Sequence, residues 1–496
     1  MINPVGFDNV AYINKQKTHI MERISRFQGK LYLEFGGKLF DDYHASRVLP
    51  GFDVNGKIKL LYELREQTEI IICVSAIDIA KNKMRADHGI SYEMDVLRLI
   101  DDITNFGISV NCICITRYTG QPNVDLFMSK LKMRSVKFFV HHPIAGYPYD
   151  IEKIVCKEGF GSNPFIETTK PLVVVTAPGP GSGKLATCLN QIYHEHQNGV
   201  KAGYAKFETF PIWNLNLMHP VNLAYEAATA DLDDINVIDS YHLEKYNITT
   251  VNYNRDIDAF PIVKTILGHI FQGQDTFYYS PTDMGVNMAG MAIINDEIVR
   301  EAACQEIIRR YFKTLCEQKM GVATQASVEK IISIMHKIGL KPEDRPVYKP
   351  AQEKCVELGV PTTAMLLPNG KLITGRNSEL MTASAGVILN GLKSLAGIGE
   401  NFNLIVPIVL EPMMKLKRDI LGNKTSILYA DEILSALCIS AVTNTLAAVA
   451  VEKLSLLRNC ELHSSHMLER NDEATLRKLG VRVTSSPEFP SKDLFF

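Results

Sequence analysis

The chain has 496 residues, 46% of them hydrophobic and 22% charged, with a formal net charge of −2 and 10 cysteines. That length exceeds what one hydrophobic core supports, so several domains are expected. The near-neutral balance gives no electrostatic footprint for nucleic acid or an anionic membrane, and the scattered cysteines, none at zinc-finger spacing, fit reduced thiols in a cytoplasmic protein.

The N-terminal stretch MINPVGFDNVAYINKQK has no apolar signal core. An amphipathic helix is expected from about Asn14 to Phe27, with Gly29 ending it. KLYLEF, Lys30 to Phe35, reads as a strand leading into Gly36-Gly37-Lys38. The following loop holds Asp41, Asp42, His44 and Asp53, whose spacing is diagnostic of no metal; no metal site is expected. A helix over Asn55 to Glu66 leads to a second strand, Glu69 to Val74, which ends at Ser75 and Asp78. Ser91 to Phe106 is helical, and Ile108 to Ile115 is a third strand, ending at Thr116-Arg117. A short helix near Val124 to Leu131 precedes a fourth strand, Val136 to Val140, which ends at His141-His142.

The sharpest chemical signal is PLVVVTAPGPGSGKLATCLNQIYHEHQNG, from Pro171 to Gly199. Val173 to Val175 form a β-branched run suited to a strand buried on both faces. Gly179, Gly181, Ser182, Gly183 and Lys184 then form a glycine-rich turn into a helix. Such a turn lets backbone N–H groups approach an anion, and the helix N-terminus adds a partial positive charge. The segment looks like a P-loop with two departures: Pro178 stands at the first Gly position and Leu185 at the hydroxyl position. Losing the hydroxyl removes the usual Mg²⁺ ligand, and Thr187 lies too far along the helix to replace it. The expected ligand is a small phosphorylated molecule, such as a nucleotide, without the ordinary role for Mg²⁺.

A sixth strand, Gly203 to Phe207, ends at Glu208. Strand–helix alternation of this kind predicts a parallel, Rossmann-like α/β sheet, whose ligands bind at the carboxyl ends of the strands. Asp78, His142 and Glu208 are the acid–base candidates gathered at that edge. From about Leu217 to Gly339 helices dominate, over His219 to Ala230, Ile257 to Ile270, Asn295 to Met320 and Ser327 to Ile338. DTFYYSPTDMGVNMAGMAIIND between them reads as an irregular connector. The Pro-rich, charged stretch KPEDRPVYKP marks a boundary. Three domains are expected: an N-terminal α/β domain over 1–215, a mainly helical region over 216–340, and a smaller C-terminal α/β domain over 341–496.

In the last of these, Pro361 to Leu367 and Leu372 to Thr374 read as a hairpin. Arg376, just before a helix over Ser378 to Ser394, is a candidate to hold a phosphate or carboxylate, and Leu404 to Leu410 reads as a strand. Ile433 to Val451 carries no charge but is rich in Ser, Thr, Asn and Ala, which predicts a buried helix or an oligomer interface rather than a membrane span. His463 and His466 are expected just past a helix, as capping groups. Val481 to Thr484 is the last strand, and the tail after Ser485 is polar.

FDNVAYINKQ, LYLEFGGKLFDDYHASRVLPGFD, VTAPGPGSGKLATCLNQIYHE and VRVTSSPEF together carry a full-length resemblance. The chain resembles a bacterial family of cytoplasmic proteins of about this length, catalogued as a domain of unknown function. The resemblance implies a multi-domain α/β architecture and transfers no activity. Two function classes stay open: an enzyme acting on a phosphorylated ligand, and a non-catalytic protein that binds one or serves as a structural homo-oligomer.

Overall fold

The computed structural model describes residues 4–27, 29–85, 89–273 and 277–491. The chain divides into two compact units, one of Pro4–Glu226 with Asp234–Ala303, the other of Ala227–Asp233 with 304–491.

The first unit is built on a seven-stranded sheet: β1 (Leu31–Phe35), β2 (Thr68–Ser75), β3 (Ser109–Thr116), β4 (Phe138–Val140), β5 (Leu172–Thr176), β6 (Gly203–Phe207) and β7 (Gly285–Val286). The spatial order is β7-β6-β1-β5-β2-β3-β4 and every pairing is parallel. Every residue of β2 and β5 is buried, as their apolar β-branched runs require in a sheet covered on both faces. The covering helices include α1 (Asn9–Arg26), α2 (Tyr92–Asn105), α3 (Pro122–Met133), α4 (Lys184–Gln197) and α5 (Asn254–Ile270).

The chain leaves β2 toward β3 and β4, but leaves β5 toward β6 and β7. The winding therefore reverses at β5, and the carboxyl end of β5 is the place where such sheets open a crevice. Buried polar groups fix β5 and its helix. Glu69 accepts from the N–H groups of Thr169 and Lys170 at 2.6 and 2.7 Å, which sets the approach to β5. On α4, Gln191 brackets Ile166 with two bonds, and Glu195 accepts from the Tyr32 hydroxyl at 2.7 Å. The Cys112 and Cys114 thiols are both buried, as alternate residues of one strand face.

All six expected strands of this sheet form. The seventh, Gly285–Val286, falls within the stretch read as a connector, which also folds into a short helix, Pro281–Met284. Two residues carry too little periodicity to register as a strand. A β-ribbon of Asn236–Ile238 with Val251–Tyr253 likewise went unpredicted.

The second unit carries a four-stranded mixed sheet of β8 (Thr362–Leu366), β9 (Leu372–Arg376), β10 (Glu461–Ser464) and β11 (Arg482–Ser485), in the order β9-β8-β10-β11. The predicted hairpin is its β8–β9 pair. Three segments of this unit depart from their local sequence pattern. Leu404 to Leu410 is not a strand: Pro407 opens a helix, α7 (Pro407–Lys415), which follows α6 (Ala383–Ala396). Proline suits the first helical turn, where its missing N–H costs nothing. Ile433 to Val451 is not one buried helix but two, α8 (Ala430–Ser440) and α9 (Thr445–Glu452). Asn444 caps the second through its Oδ1 and leaves Ile439 and Val442 exposed. His463 lies on β10 rather than past a helix, fully buried, with Nδ1 at 2.9 Å from Thr484 Oγ1 and Nε2 at 3.0 Å from Ser486 Oγ.

Candidate functional site

The turn after β5 is held open from behind. Its carbonyl groups are tied to neighbouring strands: Thr116 Oγ1 donates to the Ser182 carbonyl at 2.8 Å, Arg117 to the Gly181 carbonyl, and Arg85 to the Pro178 carbonyl at 3.0 Å. Ser182 Oγ donates to the Gly179 carbonyl at 2.9 Å. With the carbonyls so engaged, the N–H groups at the helix start are left over: among the described residues, those of Gly183, Lys184 and Leu185 make no hydrogen bond. Unbonded N–H groups at a helix N-terminus favour an anion.

Glycine is required at two points of this turn. Gly183 is the N-cap of α4 with φ of 87°, and a Cβ there would meet the Thr116 side chain at 2.9 Å. A Cβ at Gly179 would overlap the Tyr92 ring. Arg117 itself has φ of 57°, and its guanidinium also donates to Ser75 Oγ at 2.9 Å.

The side chains that follow do not build the usual Mg²⁺ site of a P-loop. Leu185 lines a small cavity beside the turn. Thr187 is buried, with its Oγ1 at 3.4 Å from Cys73 Sγ and 3.7 Å from Cys114 Sγ. Lys184 Nζ lies 3.9 Å from Glu34 Oε1 on the adjacent β1.

The three acid–base candidates go to different places. Asp78 follows β2, next to β5, and pairs with Lys83 at 3.5 Å. His142 follows β4; its Nδ1–H donates to the Tyr118 carbonyl at 3.0 Å, which leaves the lone pair of the neutral ring on Nε2. Glu208 follows β6, on the other side of the turn. With roughly 4.8 Å between strands, the five spacings from β6 to β4 separate Glu208 and His142 by about 24 Å. One small ligand cannot use both.

Glu208 is the buried one of the three. Lys206 Nζ donates to Glu208 Oε1 at 2.7 Å and to both Asp256 oxygens at 2.7 Å. Burial pushes the Glu208 carboxyl up; Lys206 pulls it down, Asp256 and Glu34 push it up again, and it comes to rest at about 7. The cavity of about 50 Å³ beside it is lined by Leu185, Tyr204, Lys206, Glu208, Asn252 and Asp256, together with apolar groups. Lys206 and Asp256, which complete this centre, were missed in the sequence. The alternation Tyr204-x-Lys206-x-Glu208 along a strand was the available signal.

Two carboxylates of the Asp41–Asp53 loop are held by lysines. Asp42 pairs with Lys57 at 2.7 Å, and Asp53 with Lys59. Arg376 is exposed at the end of β9. Among the described residues, no three His, Cys, Asp or Glu side chains gather as metal ligands, and no helix is long and apolar enough to cross a membrane.

Family models described as "Domain of unknown function DUF1846, N-terminal" and "Domain of unknown function DUF1846, C-terminal" match residues 5–339 and 343–495. A UPF0371 protein of Clostridium tetani is 54% identical over 99% of both chains. UPF0371 proteins of Clostridium botulinum (strain Alaska E43 / Type E3) and Clostridioides difficile are 52% and 51% identical, again over 99% of both chains.

Proposed function

From the premise that the chain belongs to the DUF1846 family, whose description assigns no activity, we propose that it binds a small phosphorylated ligand, a nucleotide or a phosphorylated metabolite, at the glycine turn. The observation that carries this reading is the unbonded N–H row of Gly183, Lys184 and Leu185 at the carboxyl end of β5, where the sheet reverses its winding. Gly179, Gly181 and Ser182 shape the turn, and Lys184 supplies the full positive charge. The exposed Arg117 guanidinium adds a second cation at its edge.

An enzyme acting on that ligand is the second reading. Glu208, a buried carboxyl poised near neutrality beside the same helix start, favours it, because an acid–base group works best when its pKa lies near the working pH. A thermal-shift series with nucleotides, sugar phosphates and inorganic phosphate, on wild type and Lys184→Ala, tests the first reading. Stabilisation of wild type alone supports it, and no shift with any of these compounds overturns it. Product analysis on whichever compound stabilises the wild type tests the second.

A further inference from the structure

A row of charged groups runs from the glycine turn across the sheet. Lys184, the first residue of α4, faces Glu34 on β1 at 3.9 Å. Glu34 Oε2 accepts from the Tyr204 hydroxyl of β6 at 2.8 Å, and Glu34 stands in register with Lys206. Tyr204, Lys206 and Glu208 occupy alternate positions along and just past β6, so they share one face. Lys206 then bridges Glu208 to Asp256, in the first turn of α5.

Two lysines thus serve three carboxylates in this row, and the row is mostly buried: Glu208 is 7% exposed, Lys184 and Glu34 14% and 13%, Lys206 and Asp256 23% and 19%. Charges this close and this poorly screened respond to one another over several ångströms. If Lys184 turns its charge to a bound anion, Glu34 loses its compensation and the field at the far end of the row becomes more negative.

We propose that anion binding at the glycine turn is coupled to proton uptake by Glu208, through Lys184, Glu34 and Lys206. The proposal rests on the ligand reading above and assigns Glu208 as the proton-exchanging group of that site. The step is a simple protonation: solvent gives a proton to the Glu208 carboxylate as the anion docks, and takes it back on release. The groups that face Glu208 are Lys206 and Tyr204 on its own strand, Glu34 on β1 and Asp256 on α5. Tyr225 and Tyr253 also feel its charge. From β7 it meets only backbone: its N–H donates to the Val286 carbonyl at 3.1 Å, beside Gly285. Lys206 is held charged throughout, since Asp256, Glu208 and Glu34 together outweigh the burial that opposes its charge. Glu208 sits near neutrality, so it has a proton to exchange at physiological pH.

Sulfate is the probe, because it stays fully ionised over the pH range and carries no proton of its own. Calorimetric titration of the full chain with sulfate at pH 7.5, in two buffers of different ionisation enthalpy, counts the protons taken up. Wild type is expected to take up about 0.5 proton per sulfate, the amount that linkage gives for a group near pKa 7 raised by about one unit. Glu208→Gln is expected to bind sulfate with no uptake, and Lys184→Ala to lose sulfate binding. Sulfate binding to wild type without proton uptake overturns the coupling and leaves the ligand site standing. So does uptake that persists in Glu208→Gln. No saturable binding by wild type overturns the ligand site and the coupling together. The wild-type proton count keeps the test decisive even if Glu208→Gln fails to fold.

Discussion

Lys184, at the start of α4, and Glu34, on β1, face each other at 3.9 Å, a gap too wide for a good hydrogen bond and narrow enough for strong electrostatic contact. The lysine of the glycine turn is therefore near a carboxylate without being locked to it, which is what a cation that must turn to a ligand requires.

Lys184→Ala should change the unliganded fold little. The pair is mostly buried but lies beyond hydrogen-bond distance, and Glu34 keeps its bond from the Tyr204 hydroxyl, so the loss is expected to cost about 1–2 kcal/mol. Urea unfolding of the two proteins checks this. A large loss of stability would mean that Lys184 is mainly structural.

Gly183→Ala should be more damaging. Its φ of 87° is unfavourable for any residue with a Cβ, and that Cβ would press on Thr116 at 2.9 Å. A destabilisation of about 1–3 kcal/mol is expected. Gly199→Ala is the control: it also has a positive φ, of 79°, but nothing lies within 4 Å of its Cβ. An equal cost at both sites would show that the Thr116 contact adds nothing.

Glu208 should leave its mark on stability against pH. Its folded pKa, about 7, lies above the ordinary carboxyl value of 4.5, so the folded state holds its proton more tightly. The stabilisation is fully present below pH 4.5 and is lost as pH rises through 7. The difference between wild type and Glu208→Gln should therefore change by on the order of 2–4 kcal/mol between pH 4.5 and 8, with wild type losing ground as pH rises. Denaturant unfolding at a series of pH values measures it, and parallel profiles would contradict it.

His463 should act in the opposite sense, and in the second unit. Burial first, then Arg345, holds its imidazole well below the usual histidine range. It contributes stability above pH 6.5, lost as pH falls from there toward its folded pKa. Hydrogen exchange over residues 461–486 should show protection falling between pH 7 and 5 in wild type and changing less in His463→Gln. Equal loss in both would place the acid sensitivity elsewhere.

Arg345→Ala should destabilise that unit strongly. The guanidinium is fully buried and donates to Glu461, Thr484 and the carbonyls of Leu462 and Arg482. Removing it leaves the Glu461 carboxyl, held down to about 2 by Arg309, Arg345 and Arg482 against the burial that raises it, with one partner fewer. A loss of about 3–5 kcal/mol is expected from denaturant unfolding monitored within this unit.

Local pattern determined the strands of the parallel sheet and the glycine turn. β-branched runs such as Val173 to Val175 announce buried strands, and the spacing of Gly179, Gly181 and Gly183 before Lys184 announces a turn into a helix, because both depend on residues close in the chain. The tertiary structure alone decided what the turn faces. Asp256 reaches Lys206 from fifty positions further along the chain, and Glu34 meets Lys206 only because β1 lies beside β6. It also decided the outcome where local signals conflict. LIVPIVL reads as a strand by composition, yet Pro407 can open a helix as readily, and packing against the core of the second unit selects the helix. His463 offers no periodicity by which to know that it lies in a strand between β8 and β11. A buried charge is set by the partners that burial assembles, and those partners come from distant parts of the chain.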